Sequence, residues 1–300
     1  MKILLFGKNG QVGWELQRSL APLGEVIALD SDSSEYCGNF LQPERLAQTV
    51  LQIRPDVIVN AAAHTAVDKA ESEGEIVRTV NAVAPSILAQ AAEQIDALLV
   101  HYSTDYVFDG SGEMPWQESD AANPLNVYGQ TKLEGEKLIA QQCTRHLTFR
   151  TSWVYAARGS NFPKTILRLA GERDSLSVID DQFGAPTGAD LLADITAHAI
   201  RQTLHDSGKT GLYHLVADGC ATWHGYASFL IEQAVQAGMK LHATPDRIYA
   251  VSTSAFQTAA KRPHNSRLNT QKLQQTFGLA LPAWQIGVKR MLQEISSTDR

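Results

Sequence analysis

With 300 residues, 44% of them hydrophobic and 19% charged, the chain has the balance of a globular protein and enough apolar material for a large core. A formal net charge of −6, with no block of lysine and arginine, argues against nucleic acid as a partner, while a small anion held by backbone dipoles stays compatible. No apolar run is long enough to cross a bilayer, no signal peptide precedes the first strand, and nine histidines without ligand spacing exclude a zinc motif, so no membrane is expected and the cytoplasm is the expected location.

In chain order, Lys2–Phe6 is predicted as a buried strand, Gln11–Leu20 as a helix and Glu25–Leu29 as a second strand. Pro43–Ile53 has apolar residues at helical spacing, with a proline suited to a first turn. A third strand over 56–60, a long helical segment over 72–94, a fourth strand over 97–103, a helix over 127–142 and a fifth strand over 146–151 follow. Continuous apolar strands alternating with helices imply an α/β fold, a Rossmann-type doubly wound parallel sheet covered on both faces. After Arg150 the pattern loosens, with helices over 161–170 and 189–204 and a strand over 211–216. The expected organisation is a dinucleotide-binding domain over 1–150, to which segments of about 189–216 return, and a mainly substrate-binding α/β domain over 151–300. Cys37, Cys143 and Cys220 are far apart and odd in number, and read as reduced thiols; residues from Ser296 onward are expected to fray.

Gly7-Lys-Asn-Gly10-Gln-Val-Gly13 lies between the first strand and the first helix. Glycines there allow a tight turn, close approach of backbone to a pyrophosphate and close helix–strand packing, and the helix N-terminus offers free N–H groups. The spacing is wider than the usual G-x-G-x-x-G, and a turn that merely needs glycine is the bland alternative. Asp30 ends the second strand about twenty residues on, where an acid would bind adenosine ribose hydroxyls and disfavour a 2′-phosphate. Lys8 pulls the other way, and a solvated strand-end acid is the competing reading. Tyr128 and Lys132, four apart, lie on one helical face. An ammonium beside a phenol should stabilise the phenolate and lower its ordinary value of about 10. An amphipathic helix with a packed Tyr and an exposed Lys is the bland reading; the glycine loop and Ser103-Thr104-Asp105 at the end of the fourth strand favour the catalytic one.

These residues resemble the extended short-chain dehydrogenase/reductase superfamily. Gly7–Gly13, Asn60–Asp68, Ser103–Gly110, Tyr128–Lys132, Arg150–Tyr155, Gln182–Thr187 and Arg262–Leu268 together resemble the dTDP-4-dehydrorhamnose reductases, in order and over essentially the whole chain. The resemblance implies NAD(P)H-dependent reduction of the 4-keto group of dTDP-6-deoxy-L-lyxo-4-hexulose, with NADPH or NADH as cofactor and a dTDP-sugar as substrate. It implies Tyr128 as proton donor, Thr104 as a second group on the oxygen and Lys132 on the cofactor ribose. Cofactor contacts are expected from Gly7, Asn9, Gly10, Gln11, Val12, Gly13, Asp30, Ala62, Ala63, His64 and Thr65. Asn39 and Phe40 are expected near the adenine, with Asn39 standing where many members have an acid. Val67, Thr104, Asp105, Tyr106 and Trp153 are expected to face the sugar, and Arg262 or Arg267 the diphosphate. A homodimer bridged by Mg2+ on Glu15, Asp190 and Asp194 is the furthest implication. The alternatives are reduction, epimerisation or dehydration of another nucleotide sugar, or a non-catalytic NADP-binding regulatory subunit. A dehydratase would resemble Thr-Asp-Glu where this chain has Thr104-Asp105-Tyr106.

Overall fold

The structure, a computed structural model, describes residues 1–298. Five strands, β1 (Lys2–Phe6), β2 (Glu25–Leu29), β3 (Val57–Asn60), β4 (Leu98–Thr104) and β5 (His146–Thr151), join a sixth, Gly211–His214, in one sheet. Every neighbouring pair in it is parallel. From one edge the order is β2, β1, β3, β4, β5 and Gly211–His214. The chain turns outward to β2 and then crosses back to β3, so the switch point lies between β1 and β3, where open parallel sheets bind ligands beyond their carboxyl ends.

Alternation along the strands divides the core. Ile3, Leu5, Val57, Val59, Leu98 and Val100 pack against the helices Gln11–Leu20 and Ala189–His205. Leu4, Phe6, Ile58 and Leu99 face the other way, onto Pro43–Ile53, Ala84–Gln94 and Ile139. Burial on both faces is what the near-continuous apolar strands required. A second return to the sheet was not anticipated from the sequence: Leu273, Phe277 and Leu281 join the same core as Leu147 and Tyr213.

The helical segment expected over 72–94 is not uniform. Gly74–Arg78 runs into a π-helical turn, Thr79–Val83, and then into Ala84–Gln94. Pro85 has no N–H to return to the Asn81 carbonyl, so the wider turn forms where an α-helical bond is impossible. The final helix, Trp284–Thr298, continues through the residues expected to fray as far as Thr298, and Asp299 and Arg300 lie outside the described residues.

The rest of the chain builds a smaller core. Leu176–Ile179 pairs in parallel with Ile248–Val251, and Phe162–Glu172, Trp223–Gln236 and Trp284–Thr298 surround Tyr226, Leu230, Trp284 and Val288. It stands over the carboxyl ends of β4 and β5, and a cleft of about 430 Å³ separates it from the glycine loop.

Candidate active site

Gly7 sits at φ +86°, where a Cβ would press on the backbone of Ala61 and Ala62. A Cβ on Gly13 would overlap the Gly7 carbonyl, so both positions accept only hydrogen. The result is a bare backbone cradle. The helix that follows starts at Gln11 with no side chain capping it and no acid in its first turn. Gly10, Gln11 and Val12 line the cleft. A nicotinamide dinucleotide fits here: its pyrophosphate needs close backbone approach and free N–H groups, and both are present.

Opposite the cradle, Asn126 starts the helix Val127–Gln142 by accepting the Gly129 N–H at 2.8 Å. That puts Tyr128 and Lys132 on the face toward the cleft, which both line. The helix can come so close because a Cβ on Gly129 would overlap the Tyr106 carbonyl and one on Gly135 the Asn81 carbonyl. Thr104 ends β4, and its Oγ1 accepts the Tyr106 N–H at 3.2 Å and donates to Asp105 at 3.0 Å. The Tyr128 hydroxyl interacts with the Thr104 side chain, and its ring meets Tyr106 edge-on at 5.8 Å.

The electrostatics differ from the expectation at one point. Burial pushes the Tyr128 phenol up to about 12, although the Thr104 interaction opposes this. Lys132 does not lower it, because Nζ is held by the Tyr102 carbonyl at 2.6 Å and the His101 ring at 3.1 Å, and is itself drawn down to about 8 by burial. The expectation that a nearby ammonium would depress the tyrosine is therefore corrected: without cofactor, desolvation dominates and the phenol stays protonated. Burial raises Asp105 to about 6, against hydrogen bonds from Ser266 and Thr104.

Thr65, Ala63, Val67, Asp105, Tyr106 and Trp153 also line the cleft. Trp153 adopts φ +49°, and its indole stacks on Trp223 at 3.6 Å. Gly184 leaves room for that indole, and Gln182 accepts the Trp223 Nε1–H at 3.1 Å, so the Gln182–Thr187 motif buttresses the tryptophan pair. Behind Trp223 lies an apolar cavity of about 380 Å³ lined by Phe162, Ile166, Val178, Phe256 and Arg262 among others. Trp223 was missed by sequence reasoning, and Ser266, inside the Arg262–Leu268 motif, was given no role. Only their proximity to Trp153 and Asp105 in space marks them.

Other predicted residues stand elsewhere. The Asp30 carboxylate accepts the Asn9 N–H at 3.1 Å and so anchors the glycine loop to β2. Phe40 is buried with its ring edge-on to Phe6 at 5.6 Å, and Asn39 bonds the Leu41 N–H, so neither is among the cleft-lining side chains. Phe40 in particular is core, because one apolar face of the sheet needs it. Ala62 donates its N–H to Asn60. His64 binds Asn81 through its backbone and Glu73 through its ring, which makes it a loop anchor. Arg262 pairs with Asp68 at 2.7 Å. Arg267 lies over the Phe183 ring and donates to the Glu113 carbonyl, away from the cleft.

The magnesium expectation does not fit. Asp194 is engaged by Arg18 at 2.9 Å and by Ser19, Asp190 faces Arg290 at 3.4 Å, and Glu15 pairs with Arg18. Among the described residues no three acids, histidines or cysteines gather as a metal site. Four-residue spacing put Asp190 and Asp194 on one helix face, but basic neighbours already neutralise that face.

The sequence matches the family described as RmlD substrate binding domain over residues 1–297. It is 61% identical over 298 residues to dTDP-4-dehydrorhamnose reductase of Escherichia coli (strain K12), covering 99% of each chain. The fold superposes on a dTDP-4-dehydrorhamnose reductase crystal structure from Clostridium acetobutylicum with TM-score 0.88 at 33% identity, covering 99% of this chain and 100% of that one. The Bacillus anthracis enzyme in complex with NADP gives TM-score 0.87 at 33% identity, covering 98% of this chain and 99% of that one.

Proposed function

The chain belongs to the RmlD family, the dTDP-4-dehydrorhamnose reductases, and from that premise we propose that its cleft reduces the 4-keto group of dTDP-6-deoxy-L-lyxo-4-hexulose to give dTDP-L-rhamnose. It is an NAD(P)H-dependent oxidoreductase. The observation that carries the reading is the meeting of Tyr128, Lys132 and Thr104 across one cleft from a backbone cradle.

The bound nicotinamide supplies hydride to the keto carbon. The residues of the chain do the rest. Gly7, Gly10 and Gly13 let the backbone approach the pyrophosphate. Lys132 binds ribose hydroxyls. Tyr128, kept protonated by burial, gives its proton to the oxygen on which charge develops, and Thr104 supports that oxygen. Asp105, Tyr106 and the Trp153–Trp223 stack hold the sugar. The nucleotide end reaches the apolar cavity behind Trp223, with Arg262 on the diphosphate. Residues 1–150, with segments of about 189–216 returning to them, form the cofactor unit and 151–300 mainly the substrate unit. The assembly is a homodimer in the cytoplasm, a reading supported by the family resemblance and not by any metal bridge within one chain.

Oxidation of NADPH and NADH against a panel of nucleotide 4-keto sugars tests this reading. Stoichiometric loss of reduced cofactor with the dTDP-linked substrate is expected. Turnover without net cofactor loss would instead indicate an epimerase or dehydratase.

Two further results are expected. Asp30→Asn keeps an acceptor for the Asn9 N–H while removing the charge that repels a 2′-phosphate, so kcat/KM should shift toward NADPH by about tenfold, about 1.4 kcal/mol. An equal change with both cofactors would mean that Asp30 serves only the loop. Arg262→Gln should raise KM for the nucleotide sugar by about tenfold or more, since one charge-assisted contact is lost; an unchanged KM removes Arg262 from the diphosphate.

A further inference from the structure

A line of buried polar side chains runs under the cleft floor from β3 through β4 to the catalytic helix. Asn60, His101 and Lys132 are each 1% exposed. Asn60 Oδ1 accepts the Ala62 N–H at 3.0 Å, which fixes the amide and turns Nδ2 toward His101 Nδ1, also at 3.0 Å. An amide N–H donates, so Nδ1 must accept. Burial and the neighbouring Lys132 hold His101 well below its ordinary range, so the ring is neutral and carries one proton. That proton is on Nε2, which faces Lys132 Nζ at 3.1 Å. An ammonium has three N–H groups and no lone pair, so two donors would confront each other. An amine resolves the conflict: it accepts from His101 and donates to the Tyr102 carbonyl at 2.6 Å.

We propose that His101 is a positioning residue that holds Lys132 as an uncharged amine until ribose hydroxyls of the cofactor enter the cleft, when Nζ leaves His101 and takes one proton from solvent. The proposal rests on Lys132 being the ribose contact. The lone pair that accepted from Nε2 becomes the new N–H bond, and the imidazole keeps its own proton. Above about pH 8, therefore, full positive charge reaches the neighbourhood of Tyr128 only in the loaded enzyme.

The surroundings agree. Burial draws Lys132 down to about 8. On its own helix the titratable neighbours are Tyr128 and Glu136; Glu136 favours the charged lysine, but Arg150 on β5 already pairs with it at 2.7 Å. From β4 the His101 ring faces it, while the Tyr102 side chain turns away to Thr196, and His146 on β5 lies beyond His101.

Two readouts test the proposal. The first is the Cε resonance of Lys132 in cofactor-free enzyme, assigned by its loss in Lys132→Met. The second is proton uptake on binding NADH, from calorimetry in two buffers of different ionisation enthalpy. At about pH 8.5, two units below the ordinary lysine value, wild type should show mainly an amine and take up most of one proton per site. In His101→Gln the amide can turn its carbonyl to Lys132. In Asn60→Asp the carboxylate accepts from both Ala62 and Nδ1–H, which reverses the tautomer and leaves Nε2 to accept. Both variants should show a charged lysine without cofactor and an uptake near zero. Unfolding would also expose a charged lysine and abolish uptake, so each variant is first shown to keep a cooperative melting transition and to bind NADH, and Asn60→Asp leaves His101 in place should His101→Gln not fold. A charged Lys132 in cofactor-free wild type, or an amine persisting in both variants, overturns the proposal. Absence of NADH binding would bring down the cofactor reading instead, because the lysine resonance needs no cofactor.

Discussion

Tyr128→Phe should lower kcat by roughly 10²–10⁴, the range of a lost general acid, with a much smaller change in KM. The substitution deletes only the hydroxyl. The ring contact with Tyr106 at 5.8 Å is retained and the helix start at Asn126 is untouched, so fold and cofactor binding should survive. The loss falls on kcat because the proton is needed as charge develops, not when the ground state binds. Thr104→Val should cost less, since it removes one of two groups near the oxygen. Lys132→Met should slow the proton step and weaken cofactor binding together. Steady-state kinetics with saturating cofactor separates these effects. Near-normal turnover in Tyr128→Phe would make the Tyr–Lys pair scaffold and turn attention to Tyr106, which lines the same cleft.

Arg150→Met should destabilise the protein by about 3–5 kcal/mol, because it leaves the Glu136 carboxylate buried without its cation. Arg150 and Glu136 meet through Nε at 2.9 Å and Nη2 at 2.7 Å, both residues are buried, and the arginine also lies over the Phe108 ring at 4.9 Å. Thermal unfolding should fall by on the order of 5–10 °C for a chain of this size. Combining it with Glu136→Gln should recover most of the loss, because no charge is then buried. A single variant as stable as wild type at neutral pH would show that the pair contributes nothing.

What the sequence reveals about this protein follows from how local each signal is. Gly7, Gly10 and Gly13 act within one short loop, and Tyr128 and Lys132 within one helical turn, so spacing alone brings Gly10 and the Tyr–Lys pair to the cleft. The six-stranded sheet was legible because burial on both faces leaves uninterrupted apolar runs such as Leu98–Val100. Phe40 stands beside Asn39 in sequence, and its ring serves the core at Phe6, a contact that spacing along the chain does not show. Trp223 and Ser266 lie far along the chain from the groups they meet, and no pattern of residue types predicts such contacts. The state of Lys132 was hidden for the same reason: it depends on a carbonyl of Tyr102 and a ring of His101 contributed by another strand. The carboxylates Glu15, Asp190 and Asp194 show the converse, ligand-like types whose partners in space are arginines.

The path of the chain between the two cores has a mechanical outcome. It leaves the sheet after β5, returns through Ala189–His205 and Gly211–His214, leaves again, and comes back once more at Leu273–Leu281 before ending in Trp284–Thr298. The upper core is therefore stitched to the lower by several separate threads, not hung from a single hinge. No single cut frees either half as a folding unit, and neither can be exchanged with a second copy by opening one linker. Unfolding should proceed as one event. The walls of the cleft can adjust by small rotations that all the threads share, while a wide swing would have to tear the sheet edge.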